Sequence, residues 1–255
     1  MNILEDFRLE QKVALMTGVG RGLGQAMAVA LAEAGADIAG LYHTRYQETQ
    51  RRVEAAGRRF LPIQLDLGAA TVDDLNQAVA QVKSGLGRLD ILVNNAGIVR
   101  RAPAIDYDEA DWDDVLKINL KSLFFLSQAA ARVMVDAGRG KIINIASVLS
   151  YQGGVTVPAY AATKHGISGI TQALSNEWAA QGINVNAIAP GYMETDITTA
   201  LRADPARNRA ILERIPAGRW GKSDDLKGVV VFLASAASDY MHGTTIPVDG
   251  GWLGR

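Results

Sequence analysis

The chain of 255 residues has no cysteine and no surplus of either charge. The absence of cysteine excludes disulfide bonds, thiol nucleophiles and thiolate metal ligands. With 26 basic and 27 acidic residues, the formal net charge is -1, whereas proteins that bind polyanions usually carry a basic excess. We therefore expect no nucleic-acid partner.

Long apolar runs are absent too. The N-terminal segment MNILEDFRLEQK lacks the apolar core of a signal peptide, and no stretch is long and uncharged enough to cross a bilayer. The sequence also has no repeat and no Pro/Gly/Ser linker that would divide it. These absences favour one cytoplasmic domain over residues 1–255, without a membrane partner.

Short apolar runs alternate with longer amphipathic segments. They predict strands at 12–17, 37–42, 60–65, 90–95, 140–147, 183–189 and 243–250. Most runs are apolar at consecutive positions, as in strands buried on both faces. Helical patterns between them end at Gly35, Gly57, Gly87 and Gly182. This alternation predicts an α/β fold: a single doubly wound domain with a parallel sheet and right-handed crossovers.

A glycine-rich turn, TGVGRGLG (17–24), joins the first predicted strand to the first helix. Glycines at this position allow the backbone to approach a pyrophosphate at the helix N-terminus. The spacing is GxxxGxG and not GxGxxG, because Leu23 stands where glycine or alanine would complete the second pattern. A packing turn is the alternative, but the position at the start of an α/β sheet favours a dinucleotide site.

The second predicted strand ends LYHTR (41–45), without the acid that would hold the adenosine ribose hydroxyls of NAD. Arg21, His43 and Arg45 could supply positive charge for a 2'-phosphate, which favours NADP(H). Arg21 and Arg45 could equally be solvated surface residues. The sequence thus leaves NAD and NADP both open as the cofactor.

A serine, a tyrosine and a lysine have the spacing of a reactive set. Ser147 is predicted to close the fifth strand, and Tyr160 and Lys164 lie four residues apart on one helix face. Tyr160 could act as an acid/base if the nearby ammonium group, together with the positive nicotinamide of an oxidised cofactor, lowered its pKa from about 10 toward neutrality. Ser147 could hydrogen-bond the substrate oxygen, and Asn119 could hold a water that links Lys164 to solvent.

The chemistry-bearing motifs follow one another in a defined order. They are TGxxxGxG (17–24), NNAG (94–97), Asn119, Ser147, YxxxK (160–164) and PG (190–191). In order and spacing they resemble the classical short-chain dehydrogenases/reductases, from Lys12 to the C-terminus. The resemblance implies a Rossmann-like fold with a seven-stranded sheet, and a catalytic set of Asn119, Ser147, Tyr160 and Lys164. It also implies a homotetramer, with the helices around 112–137 and 158–180 at a subunit interface.

The resemblance further implies how a nicotinamide cofactor is held. Lys164 would also bind the nicotinamide ribose, Asp66 would meet the adenine ring, and Thr195 would lie near the carboxamide. With the residues discussed above, the predicted cofactor set is Gly18, Arg21, Gly22, Leu23, Gly24, His43, Asp66, Leu67, Asn95, Ala96, Gly97, Tyr160, Lys164, Pro190, Gly191 and Thr195. The cofactor-binding part would span about 12–190 and the substrate loop about 191–221.

Within the family, six stretches look closest to bacterial 2-dehydro-3-deoxy-D-gluconate 5-dehydrogenases, also described as 2-deoxy-D-gluconate 3-dehydrogenases. They are NNAGIVRR (94–101), DWDDV (111–115), GKIINIASVLSYQGG (140–154), INVNAIAPGY (183–192), ERIPAGRWG (213–221) and VDGGWLGR (248–255). The GVGRG loop and the LYHTRY strand end match this subgroup, usually associated with NAD, least well. The resemblance implies a sugar-acid substrate of the 2-keto-3-deoxy or deoxy-gluconate type.

A sugar acid carries a carboxylate that an arginine could hold through two hydrogen bonds. Arg101 is the first candidate, and the others are Arg100, Arg214 and Arg219. Each arginine could instead pair with a loop acid such as Asp106 or Glu213. With Gln152 and Tyr151 as possible hydroxyl contacts, the predicted substrate set is Arg101, Ser147, Gln152 and Tyr160.

Several alternatives stay open. The same motifs fit a 3-oxoacyl-thioester (acyl carrier protein) reductase, or a dehydrogenase of gluconate or of 2-keto-3-deoxy-fuconate or rhamnonate. The intact reactive set argues against a cofactor-sensing module that has lost its chemistry, and a Rossmann-like methyltransferase would leave the tyrosine–lysine pair unexplained. Trp252 and Arg255 could reach a neighbouring subunit's pocket or form a free tail. No metal site is predicted, because His43, His165 and His242 lack ligand spacing.

Overall fold

Seven parallel strands form the central sheet of the computed structural model, which describes residues 2–255. The strands are β1 Val13–Thr17, β2 Asp37–Tyr42, β3 Phe60–Gln64, β4 Ile91–Asn94, β5 Gly140–Ile145, β6 Ile183–Pro190 and β7 Thr245–Val248. Their order is β3-β2-β1-β4-β5-β6-β7, and all neighbours pair in parallel. The seven-stranded, doubly wound, Rossmann-like fold expected from the sequence is thereby confirmed.

Helices cover both faces of the sheet. They are α1 Gly22–Glu33, α2 Gln47–Ala55, α3 Val72–Leu86, α4 Glu109–Leu116, α5 Ser122–Asp136, α6 Pro158–Trp178, α7 Thr199–Ala203, α8 Pro205–Arg214 and α9 Lys227–Ala234. The predicted glycine stops are correct, since all four residues have positive φ. Within residues 2–255, no helix combines the length and apolar character needed to cross a bilayer.

The first strand shows why its sequence is apolar at every position. Val13 and Leu15 pack into the cluster that includes residues of α3 and α5. Ala14 and Met16 pack into the cluster on the opposite face, with residues of α1 and α9. Alternate side chains of a strand point to opposite faces, so a strand covered on both faces needs continuous apolar sequence.

The strand order reverses between β1 and β4, both at the centre of the sheet. In doubly wound sheets, ligands bind in the crevice outside the carboxyl ends of the strands at such a reversal. Ser147 lies near this edge, but the prediction that it closes β5 is wrong. The strand ends at Ile145, and Ser147 caps the short 3₁₀ turn Val148–Ser150 by accepting a hydrogen bond from the Leu149 N–H at 3.1 Å.

Candidate active site

A cleft of about 660 Å³ opens at the carboxyl ends of the central strands. Its walls include every residue of the predicted cofactor set, together with Ser147. Asn119, Arg101 and Gln152 do not line this cleft. The cleft also contains residues that the sequence did not single out, among them Asp196, Ile197 and Thr198.

The glycine turn closely approaches neighbouring backbone. Gly18 and Gly22 have φ values of 71° and 56°, in the left-handed region that favours glycine. A Cβ at Gly24 would overlap the Gly18 carbonyl, and a Cβ at Gly20 would overlap the carbonyl of Arg45. Gly20 therefore has a role that the motif did not indicate, because it allows the segment that follows β2 to lie against the turn.

The N-terminus of α1 faces the cleft with free hydrogen-bonding capacity. Arg21, its N-cap residue, makes no side-chain capping hydrogen bond, and the first turn contains no acidic residue. Free N–H groups and the positive end of the helix dipole suit an anion. The turn and the helix end therefore fit the pyrophosphate of a dinucleotide.

Asn95 braces the glycine turn. Its Nδ2 donates to the carbonyls of Thr17 and Gly18, at 3.0 and 3.2 Å. The Thr17 hydroxyl oxygen in turn accepts from the N–H groups of Asn95 and Ala96, at 3.0 and 2.9 Å. The NNAG motif thus fixes the turn to the end of β4.

Charged residues surround one end of the cleft. The Arg21 guanidinium donates to the carboxylate of Asp196, and Arg45 lies 3.9 Å from the same oxygen. The His43 Nε2 lies 3.7 Å from Asp66 Oδ2. The basic side chains proposed for a 2'-phosphate therefore meet at the rim, where Asp196 engages two of them.

Helix α6 brings Tyr160 and Lys164 beside Ser147. Burial raises the pKa of the Tyr160 hydroxyl, while a hydrogen bond with Ser147 and the charge of Arg101 act to lower it. Burial lowers the pKa of Lys164 to about 7. Burial therefore opposes the Tyr160 phenolate in the protein alone, because desolvation outweighs the favourable contacts, and the lowered pKa that we expect with an oxidised nicotinamide bound stays a prediction.

Asn119 lies in a π-helical segment, Lys117–Lys121, between α4 and α5. Its Oδ1 accepts from the Ile98 N–H at 2.8 Å, and its Nδ2 donates to the Ile98 carbonyl at 2.9 Å and toward Thr163 Oγ1 at 3.4 Å. The side chain is 1% exposed. The Asn119 amide therefore holds the chain that follows the NNAG motif, and the water contact stays a prediction. Such single π turns are frequent at functional sites.

The four candidate arginines have different surroundings. Arg100 pairs with Asp111 at 3.0 Å and Asp114 at 3.5 Å, and Arg219 pairs with Asp225 at 2.7 Å. Asp106 and Glu213, which we named as possible acid partners, form none of these pairs. Arg101 makes no ion pair within residues 2–255, and its charge acts to lower the pKa of the Tyr160 hydroxyl.

Arg214 links the loop after Ser147 to the C-terminal segment. Its Nη2 donates to Gln152 Oε1 at 2.9 Å, and its guanidinium lies 3.9 Å from the ring centre of Trp252. Trp252 is 4% exposed and packs on Tyr192 at 4.5 Å between ring centres. Arg255 donates to the Glu213 carbonyl at 2.7 Å. The tail is therefore not free, because it packs on residues 192–214 of its own chain, which lie in the predicted substrate loop.

A family model described as Enoyl-(Acyl carrier protein) reductase matches residues 18–253. A 2-dehydro-3-deoxy-D-gluconate 5-dehydrogenase from Escherichia coli (strain K12) is 55% identical over 254 residues, covering 99% of this chain and 100% of the relative. The chain belongs to the short-chain dehydrogenase/reductase family. It is therefore an oxidoreductase, and the resemblance inferred from the motifs is confirmed.

Two solved structures of the short-chain dehydrogenase/reductase family match nearly the whole chain. One, from Agrobacterium tumefaciens with bound NADP, carries the provisional description 2-deoxy-D-gluconate 3-dehydrogenase. It has a TM-score of 0.91 and 52% identity, and covers 98% of this chain and 99% of that one. A gluconate 5-dehydrogenase from Burkholderia cenocepacia J2315, in complex with NADP and tartrate, has a TM-score of 0.94 and 41% identity over 100% of both chains.

Proposed function

We propose that this protein is a sugar-acid dehydrogenase that interconverts a secondary alcohol and a ketone on a 2-keto-3-deoxy or deoxy-gluconate-type substrate. The observation that carries this proposal is Arg101, which directly follows the cleft residues Val99 and Arg100, makes no ion pair within residues 2–255, and carries a charge that acts to lower the pKa of the Tyr160 hydroxyl. A guanidinium can hold a carboxylate through two parallel hydrogen bonds. The names of the relatives, among them the Escherichia coli enzyme and the Burkholderia gluconate 5-dehydrogenase, support the same substrate class.

The reactive set is proposed to handle the proton at the substrate oxygen. A bound nicotinamide cofactor supplies or accepts the hydride. Ser147 donates a hydrogen bond that fixes the oxygen, and the Tyr160 hydroxyl gives or takes the proton there. Lys164 adds positive charge beside the phenol when its amine, with a pKa of about 7, is protonated.

The residues that would hold the cofactor line one continuous cleft. The glycine turn and the N-terminus of α1 fit its pyrophosphate, Asp66 fits the adenine end, and Lys164 and Thr195 fit the nicotinamide end. We propose a preference for NADP(H). Arg21 and Arg45 line the end of the cleft where the adenosine 2'-phosphate would lie, and the end of β2 carries no acidic residue that would take its place. The NADP in both related structures supports this choice.

An acyl-thioester reductase is the second candidate. The description of the matching family model, Enoyl-(Acyl carrier protein) reductase, favours it. A neutral acyl chain, however, has no group that would pair with the charge of Arg101, which acts to lower the pKa of Tyr160. The carboxylates of other sugar acids, such as gluconate and 2-keto-3-deoxy-fuconate or rhamnonate, would pair with Arg101 equally well.

We also propose a cytoplasmic homotetramer. An apolar groove of about 410 Å³ lies on α4, α5 and α6, the helices expected at a subunit interface. Its walls are Asp113, Leu116, Lys117, Leu120, Lys121, Phe124 and Ile170. If the groove is the interface, Phe124→Glu should lower the mass measured by light scattering, whereas an unchanged mass would place the interface elsewhere.

The experiment that tests the function follows NAD(P)H absorbance over a panel of substrates. The panel contains 2-dehydro-3-deoxy-D-gluconate, gluconate, a deoxy-fuconate or rhamnonate analogue, and a 3-oxoacyl thioester, each with NAD(H) and with NADP(H). We expect the highest kcat/KM for a deoxy sugar acid. Activity confined to the thioester would overturn the proposed substrate class.

A further inference from the structure

Asp196 meets two arginines at the rim of the cofactor cleft. It begins the 3₁₀ turn Asp196–Thr198 after β6, whereas Arg21 comes from the N-cap of α1 and Arg45 follows β2. We propose that Asp196 is a specificity-determining residue that competes with the 2'-phosphate of NADP(H) for Arg21 and Arg45. The inference rests on the proposed function, in which this cleft holds a nicotinamide dinucleotide.

The contacts of the Asp196 carboxylate support this competition. Arg21 donates to its Oδ2, and Arg45 Nη2 lies 3.9 Å from the same oxygen. A carboxylate and a phosphate bind guanidinium groups through the same hydrogen-bond geometry. The Asp196 carboxylate is therefore hydrogen-bonded to one, and within ion-pair distance of the other, of the two guanidinium groups that a 2'-phosphate would use.

The exposure of these side chains makes the exchange possible. The side chains of Arg21, Arg45 and Asp196 are 62%, 57% and 64% exposed. Solvent-exposed ion pairs of this kind add little to the stability of a protein, because water screens both charges. A 2'-phosphate with nearly two negative charges can displace Asp196 from the arginines. The contact of Asp196 with Arg21 and Arg45 nevertheless weakens the binding of NADP(H), because it has to be broken first.

Asp196 also joins the two ends of the cleft. The turn that carries it is fixed by Thr198, whose hydroxyl oxygen accepts from the Thr195 N–H at 3.1 Å and whose hydroxyl donates to the Met193 carbonyl at 2.6 Å. Thr195 is the residue expected near the nicotinamide. A cofactor with a 2'-phosphate would therefore detach this turn from the arginines, whereas NAD(H) would leave the contact in place.

The test measures the Kd of NADPH and NADH by cofactor fluorescence on the full-length protein, without substrate. We expect Asp196→Asn to lower the Kd of NADPH about threefold to tenfold and to change the Kd of NADH less than about twofold. Glu194→Gln is the matched control, because Glu194 lines the same cleft and its loss removes the same charge. It should leave the ratio of the two Kd values unchanged. In an Arg21→Ala, Arg45→Ala background, Asp196→Asn should no longer affect the ratio.

Three results would contradict the inference. Asp196→Asn could weaken the binding of both cofactors, which would mean that Asp196 helps to hold any nicotinamide dinucleotide. Alternatively, it could change the ratio no more than Glu194→Gln, or retain its effect without the two arginines. The wild type could bind NADH more tightly than NADPH, while Asp196→Asn still shifts the ratio of the two Kd values in favour of NADPH. That result would overturn the proposed NADP(H) preference but support the inference about Asp196. Absence of binding by either cofactor would overturn both.

Discussion

The Lys164 ammonium group lies 5.3 Å from the centre of the Tyr160 ring, and its Nζ donates to the Ile145 carbonyl at 2.6 Å. The end of β5 therefore holds the lysine one helical turn from the tyrosine that it is proposed to assist. Burial opposes charge on both side chains. Lys164, with a pKa of about 7, can consequently change protonation near neutral pH, whereas the raised pKa of Tyr160 keeps its hydroxyl protonated there in the protein alone.

Replacement of Tyr160 by phenylalanine removes the proposed proton donor and keeps the ring. We expect kcat to fall by about 10² to 10⁴, because that is the usual contribution of a positioned acid or base. The Kd of the cofactor, measured by fluorescence, should change little. Substantial turnover by this variant would contradict the proposed role of Tyr160.

The burial of Lys164 should appear in the pH dependence of stability. Its pKa is about 7 in the folded protein, against 10.5 as the reference value. Between these pH values the unfolded chain binds more protons, so the contribution of Lys164 to the free energy of unfolding rises with pH. Relative to Lys164→Met, the wild type should gain at most about 1.4 kcal/mol per pH unit in this range.

The measurement for Lys164 is urea unfolding of both proteins from pH 7 to 9.5. Lys83→Met, which replaces an exposed lysine on α3, is the matched control. Its difference from the wild type should stay constant with pH. A constant difference for Lys164→Met as well would show that the ammonium group is not desolvated in the folded state.

Trp252 should stabilise the substrate loop from within its own chain. Its ring packs on Tyr192 and lies under Arg214, in a cluster with Ile211 and Trp220. Truncation of a buried tryptophan to alanine usually costs about 3–5 kcal/mol. We expect Trp252→Ala to lower the Tm by several degrees and to speed proteolysis within about 192–220.

The matched control for Trp252 is Trp112→Ala, since Trp112 is 38% exposed and packs at the edge of Tyr107. This variant should leave cleavage of the substrate loop unchanged. Equal cleavage of the loop in both variants and the wild type would mean that the C-terminal segment does not hold it.

The sheet could be predicted closely because its physical cause is local. A strand buried on both faces needs consecutive apolar residues, and the helical segments before four of the strands are followed by a glycine with positive φ, as at Gly87 and Gly182. The alignment of Tyr160 with Lys164 likewise follows from helical periodicity alone. These features require no knowledge of distant contacts.

Other features depend on contacts between distant segments. The pairing of Asp196 with Arg21 joins residues 175 positions apart, and no local pattern marks it. The position of Trp252 against Tyr192 depends on how the last turn folds back. The raised pKa of Tyr160 depends on burial by several elements, which the spacing of Tyr160 and Lys164 cannot reveal.

The role of Arg101 is tested most directly by comparing a sugar acid with its neutral amide. We predict that the wild type prefers the acid in kcat/KM by about tenfold to a hundredfold, because a hydrogen bond to a charged group contributes about 1.5–3 kcal/mol. Arg101→Met should lose this preference, whereas Arg100→Met, whose native side chain is paired with Asp111, should keep it. An undiminished preference in Arg101→Met would contradict the assignment of Arg101 as the carboxylate-binding residue.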